Sequence, residues 1–134
     1  MGIFQGSVVN VTTARNCFSV IPLDYATQQS TISIMANLSH VYSFTDIVQN
    51  SGPPYNLQVD FAQELEAFRD IAFDSHYSFQ MNISAVMNSL YDAHTMYLAP
   101  TPFQYFVTFL PFYFACTLDS QNNQRVIGWE KKGR

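Results

Sequence analysis

Residues 103–118 constrain the fold of this chain more than any other stretch. Phe, Tyr, Val and Leu crowd the segment, broken by Pro111 and seeded with polar Gln104 and Thr108. In an extended chain successive side chains point to opposite faces, which puts Phe103, Tyr105, Val107 and Phe109 on one side and Phe106 and Leu110 on the other. A strand apolar on both faces belongs between layers of a larger structure. The same run does not read as a membrane span, because no segment approaches about 20 consecutive apolar residues. Strands are expected at 95–99, 103–110 and 112–118, punctuated by Pro100, Pro102 and Pro111. A polar loop over 119–124 then leads into one more strand at 125–129.

Ahead of that run the apolar spacing changes from two to three and four. Over 30–48 the residues Ile34, Met35, Leu38, Val41, Tyr42, Thr45 and Val48 trace one face of a helix, with Ser30 or Thr31 placed to cap it. Gly52, Pro53 and Pro54 end it, since each Pro bars its predecessor from the helical region. Asp60 opens a second helix with Gln63 three residues on, as in a capping box, and Phe61, Leu65, Phe68 and Ala72 form its inward stripe. Glu64, Glu66, Arg69 and Asp70 fall mostly on the far side and read as a solvated face rather than paired catalytic carboxylates. A third helix is expected over 79–91, capped by Ser78, with Ile83, Val86, Met87 and Leu90 on one face. The reading is α+β: a tail over 1–16, a helical region of about three helices over 17–99, and over 100–134 the incomplete start of a β-rich region of a larger domain.

The 134 residues suffice for one domain, with 48% of them hydrophobic to fill its core. Charged residues at 12% are roughly half the usual share, so part of the apolar surface is expected to be covered from outside the chain. A net charge of -4 disfavours nucleic-acid binding, which needs clustered Lys and Arg, and the one basic cluster, Lys131, Lys132 and Arg134, reads as a solvated tail. The first 16 residues carry no charged and apolar pattern of a signal peptide. Cys17 and Cys116 are too few for a disulfide framework, and the sequence leaves open whether they pair. Sequons at Asn10, Asn37 and Asn82 lend weak support to secretion and glycosylation.

The residue with most chemical promise is His94, placed where the third helix hands over to the expected strand. Imidazole titrates near neutrality, so a rigidly held His can take a proton from a hydroxyl nucleophile and return it to a leaving amine. Judged on spacing alone, Asp92 and His94 read more readily as a surface or capping pair than as catalytic groups, with Asp92 a turn residue. His40, His76 and His94 lack the spacing of a helical metal pair and the cysteines are not grouped with them, so no metal or cofactor is expected. The aromatic run lacks interleaved Arg or Lys and reads as packing rather than a nucleic-acid platform.

The segment Leu90-Tyr91-Asp92-Ala93-His94 resembles the Leu-x-Asp-x-His element of S41-class serine peptidases related to the chlamydial protease-like activity factor and its secreted fungal homologues. The upstream order is similar as well: Cys17-Phe18-Ser19-Val20-Ile21-Pro22, Pro53-Pro54-Tyr55, Val59-Asp60, and His76-Tyr77-Ser78-Phe79. The likeness covers about 17–119, the leading part of such proteins. It implies a secreted hydrolase of peptide or protein substrates, with His94 as general base for a serine far downstream and a glutamate beyond it. Neither serine nor glutamate has a counterpart here, and no G-x-S-x-G turn or Gly-rich loop is present. The chain alone is therefore expected to be catalytically silent.

Two other readings stand beside this one. The chain could be a non-catalytic interaction or scaffold domain that shares the fold, since fold does not dictate function. It could also be a truncated gene product, poorly soluble and self-associating through aromatic strands.

Overall fold

The computed structural model describes residues 8–105 and 112–130. It is mixed α+β, with five α-helices followed by a two-stranded antiparallel sheet. The helices are α1 (Val11–Ser19), α2 (Tyr25–Asn37), α3 (Thr45–Gln49), α4 (Phe61–Glu66) and α5 (His76–Asn88), and the strands are β1 (Phe112–Leu118) and β2 (Gln124–Glu130). Short 3-10 turns extend α2 over Leu38–His40 and α4 over Ala67–Asp70, and a third lies at Thr101–Gln104.

Four helices start at a side chain that satisfies a free backbone amide. Asn10 accepts from the Thr12 amide, Asp24 from Thr27, Asp60 from Gln63 and Ser75 from Ser78. The expected caps at Asp60 and on the third helix differ in outcome. Asp60 caps as its spacing implies, whereas α5 begins a turn earlier because Ser78 donates its amide to the Ser75 hydroxyl at 3.1 Å.

The core is built by α2, α4 and α5. Ile32 and Met35 of α2, Phe61 and Leu65 of α4, and Phe79, Ile83, Val86 and Met87 of α5 meet Val48 and Leu90 in one buried cluster. Polar bonds tie the end of α4 to α2. Buried Gln28 donates to the Phe68 and Ile71 carbonyls at 2.7 and 2.9 Å, and Arg69 reaches Gln29 Oε1 at 2.9 Å and Ser33 Oγ at 3.1 Å while paired with Glu66. A smaller aromatic cluster joins α1 to α5: Phe18 stacks on Tyr77 at 5.3 Å between centroids, and Phe103 meets both Phe18 and His76.

Several expected boundaries move. The single helix read over 30–48 is two, α2 and α3, and α2 begins at Tyr25 behind the Asp24 cap, well before Ile34, the first apolar position of the expected stripe. The Thr45 hydroxyl bonds the carbonyls of Ser39 and Tyr42, which fixes a turn inside what the spacing presented as continuous. Ile34, Leu38 and Val41 of the proposed stripe are consequently exposed. Ala72 is also exposed, because the second helix ends in a 3-10 turn at Asp70. Helix α1 lies across the expected tail boundary at residue 16.

Among the described residues, 95–99 pair with no strand, and 101–104 form the 3-10 turn with Phe103 buried. Expected strand positions 106–110, Phe106, Val107, Phe109 and Leu110 among them, lie outside the described residues, as do Lys131, Lys132 and Arg134. The hairpin itself matches the expectation: Phe112 pairs with Glu130, Ala115 with Ile127 and Leu118 with Gln124. The loop between the strands is fixed by Asp119, whose carboxylate accepts the amides of Gln121 and Asn123. Every residue of both strands is solvent-exposed, so the layers expected to cover them are not supplied by the described residues. Cys17 and Cys116 are free and exposed, which resolves the open pairing against a disulfide between them. No helix among the described residues is long and apolar enough to cross a membrane.

Candidate active site

Helix α5 ends at Asn88, and Leu90, two residues further on, is buried in the core. Tyr91 follows with φ of 51°, a left-handed conformation that turns the chain abruptly away from the helix axis. The next four residues close on the Asp92 carboxylate. Oδ1 accepts the His94 amide at 2.9 Å, and Oδ2 accepts the Thr95 hydroxyl at 2.7 Å and the Tyr42 phenol at 3.2 Å. These donors favour the charged form, so the Asp92 carboxyl is held below the ordinary carboxylate range, first by the Thr95 hydroxyl and then by the His94 amide. The Tyr42 phenol moves up, chiefly because it is withdrawn from water and then because the Asp92 charge faces it.

His94 sits at the crest of this turn with its side chain 96% exposed, and its Nδ1 lies 3.5 Å from Asp92 Oδ1. Asp92 thus fixes the turn that carries the imidazole, as expected for a turn residue, and its oxygens are already engaged with the amide and two hydroxyls. The handover to a strand does not occur, since 95–99 is irregular chain packed back on the helices through Tyr97. Two grooves flank the turn. One of about 300 Å³ is lined by Met35, Phe61, Met87, Thr95, Met96 and Tyr97. The other, about 830 Å³, is lined by Phe44, Tyr55, Leu57, Leu90, Tyr91 and Asp92, and Tyr42 lines both. Residues on either side of His94 in sequence therefore belong to different grooves.

The three histidines are on separate elements. His40 is exposed in the 3-10 turn after α2, and His76 opens α5 half-buried, its imidazole pushed down by burial against the opposing pull of Asp24. Among the described residues, no group of three or more His, Cys, Asp or Glu side chains could hold a metal ion, and no serine hydroxyl bonds a histidine ring. Arranged this way, the turn can present a proton acceptor to a group that comes from elsewhere.

One part of the site escaped the sequence. The Tyr42–Asp92 bond links positions fifty apart, which no local spacing signals. The Gln80–His76 bond, by contrast, joins residues four apart on one helix and was open to discovery from that spacing. Asn10, Asn37 and Asn82 are all exposed, Asn10 as the α1 cap and Asn82 with its amide bonded to the Ser78 carbonyl. Comparison with protein families, with curated proteins and with solved structures finds no match to this chain.

Proposed function

We propose that the chain is the amino-terminal part of a secreted S41-like serine peptidase and contributes the general base, His94, to a nucleophile outside these 134 residues. The observation that carries this reading is the exposed imidazole on an anchored turn between two grooves. A base must be rigidly held and still reachable by the hydroxyl it deprotonates. The Asp92 bonds fix the backbone that carries His94, which bears on the first condition, and the exposure of the ring meets the second. In the implied reaction His94 takes the proton of the serine hydroxyl as the acyl-enzyme forms and returns it to the leaving amine. Peptide or protein is the substrate, and exposed sequons at Asn10, Asn37 and Asn82 agree with passage through a secretory route.

The test uses the protein from the complete reading frame and a fluorophosphonate probe, which reports an activated serine directly. Labelling that falls sharply in His94→Ala, while His40→Ala labels normally, is the expected result. Equal labelling of all three proteins overturns the assignment.

One observation favours a second reading, a non-catalytic interaction domain. The hairpin exposes Phe112, Tyr113, Phe114, Ile127 and Trp129, a large apolar surface for two strands. On this reading the hairpin recruits further strands or another copy, and no serine labels in any variant.

A further inference from the structure

Gln80 is 1% exposed in the middle of α5, yet both ends of its amide are bonded. The Tyr97 hydroxyl donates to Gln80 Oε1, and Gln80 Nε2 lies 2.8 Å from His76 Nε2. An amide nitrogen only donates, so the imidazole nitrogen facing it is the bare one and the ring proton is on Nδ1. The chain of bonds thus runs in one direction, from Tyr97 through Gln80 to a neutral His76.

We infer that His76, Gln80 and Tyr97 form a proton-operated latch: uncharged His76 holds the 95–99 segment against α5, and protonation of its Nε2 releases that segment. A proton taken from solvent onto Nε2 sets two donors face to face. To restore a bond the buried amide must turn over, offering Oε1 to the imidazolium and its NH2 to the Tyr97 oxygen. Tyr97 then loses the acceptor for its own hydrogen in a partly buried position, which favours loosening of the segment.

The surroundings bias the latch toward its closed form. Phe79 and Phe103 pack on the imidazole at 6.4 and 5.0 Å between centroids, and this burial disfavours the cation. From the α2 cap, Asp24 pulls the other way, the one charge among the described residues that acts on it. Among the described residues, the 91–100 segment reaches the ring through the Tyr97 phenol by way of Gln80, the Thr101–Gln104 turn packs Phe103 on it, and α5 itself supplies Phe79 and Gln80. Tyr97 also lines the smaller groove, so opening the latch changes that groove. None of this depends on any catalytic role for His94.

The test is NMR of the chain between pH 7.5 and 5, following the histidine rings and the amide exchange of 95–99. His76 is expected to titrate below the ordinary histidine value of about 6.5, with its neutral form protonated on Nδ1. Amide protection over 95–99 falls about fivefold with the same midpoint, the factor expected for one net hydrogen bond. Protection that stays constant through the His76 midpoint, or a neutral ring protonated on Nε2, overturns the proposal. In Tyr97→Phe the pH step in protection disappears while the helices remain folded, and a step that persists is equally fatal. His40→Ala and His94→Ala keep the step, which separates the latch from the other two rings.

Discussion

The Gln28 side-chain nitrogen lies 2.7 Å from the Phe68 carbonyl and 2.9 Å from that of Ile71, forty residues away in sequence. One buried amide therefore satisfies the backbone where the 3-10 turn after α4 runs out. Replacing it by Leu leaves both carbonyls without that donor inside the fold. Gln28→Leu is expected to cost about 1–3 kcal/mol in urea unfolding, against less than about 0.5 kcal/mol for an exposed residue such as Gln49→Ala. An unchanged unfolding midpoint for Gln28→Leu would show that the bond contributes nothing.

Leu65 and Ile83 are fully buried at the meeting of α4 and α5. Truncating either to Ala removes apolar contacts and leaves a cavity, at an expected cost of about 2–5 kcal/mol. Ile34, which the spacing placed on the inward face of the first helix, is largely exposed, and Ile34→Ala is expected to change stability by less than about 1 kcal/mol. Comparable losses for all three would mean that α2 packs with a different face inward.

How much of this was readable from the sequence follows from the range of the forces involved. Asp60 and the stripe of Ile83, Val86 and Met87 on α5, with Leu90 just past its end, were legible because caps and helix faces are set by neighbours within one turn. The break at Ser39–Tyr42 was not, because Leu38, Tyr42 and Thr45 keep helical spacing while the Thr45 hydroxyl pins a turn between them. The α1 helix escaped for a similar reason: only Phe18 of it is buried, so its polar sequence shows no apolar face. At the candidate site His94 and the turn role of Asp92 were legible locally. Tyr42 and the absence of a strand after the turn depend on contacts across the chain.

Acid weakens the fold through two routes with different windows. A histidine whose folded value lies below its unfolded one, as burial makes His76, contributes stability above about pH 6.5 that declines as pH falls through that region. Asp24, Asp92 and Asp119 are depressed by bonds from hydroxyls and amides, so their contribution is present above about pH 4 and is lost as pH falls through their folded values. Urea midpoints measured from pH 8 to 2 are expected to fall in two steps, and the upper step should vanish in His76→Phe. A single step confined to the acid end would contradict the His76 contribution.

Trp129 is the chain's one tryptophan, and it sits on the exposed hairpin, its ring 6.0 Å from that of Tyr113. Self-association through this sheet would bury the indole. Emission is expected to shift to the blue as protein concentration rises, in step with the mass seen by sedimentation, and Ile127→Lys should suppress both. Association with no change in Trp129 emission would place the contact elsewhere on the molecule.

The central claim concerns His94, whose exposed ring carries little of the fold. On the proposed reading, His94→Ala in a longer form of the protein that carries the nucleophile should leave the melting temperature within about 1 °C, as surface substitutions do, and lower peptidase kcat by several powers of ten. Turnover equal to the parent enzyme's at unchanged melting temperature would contradict the account.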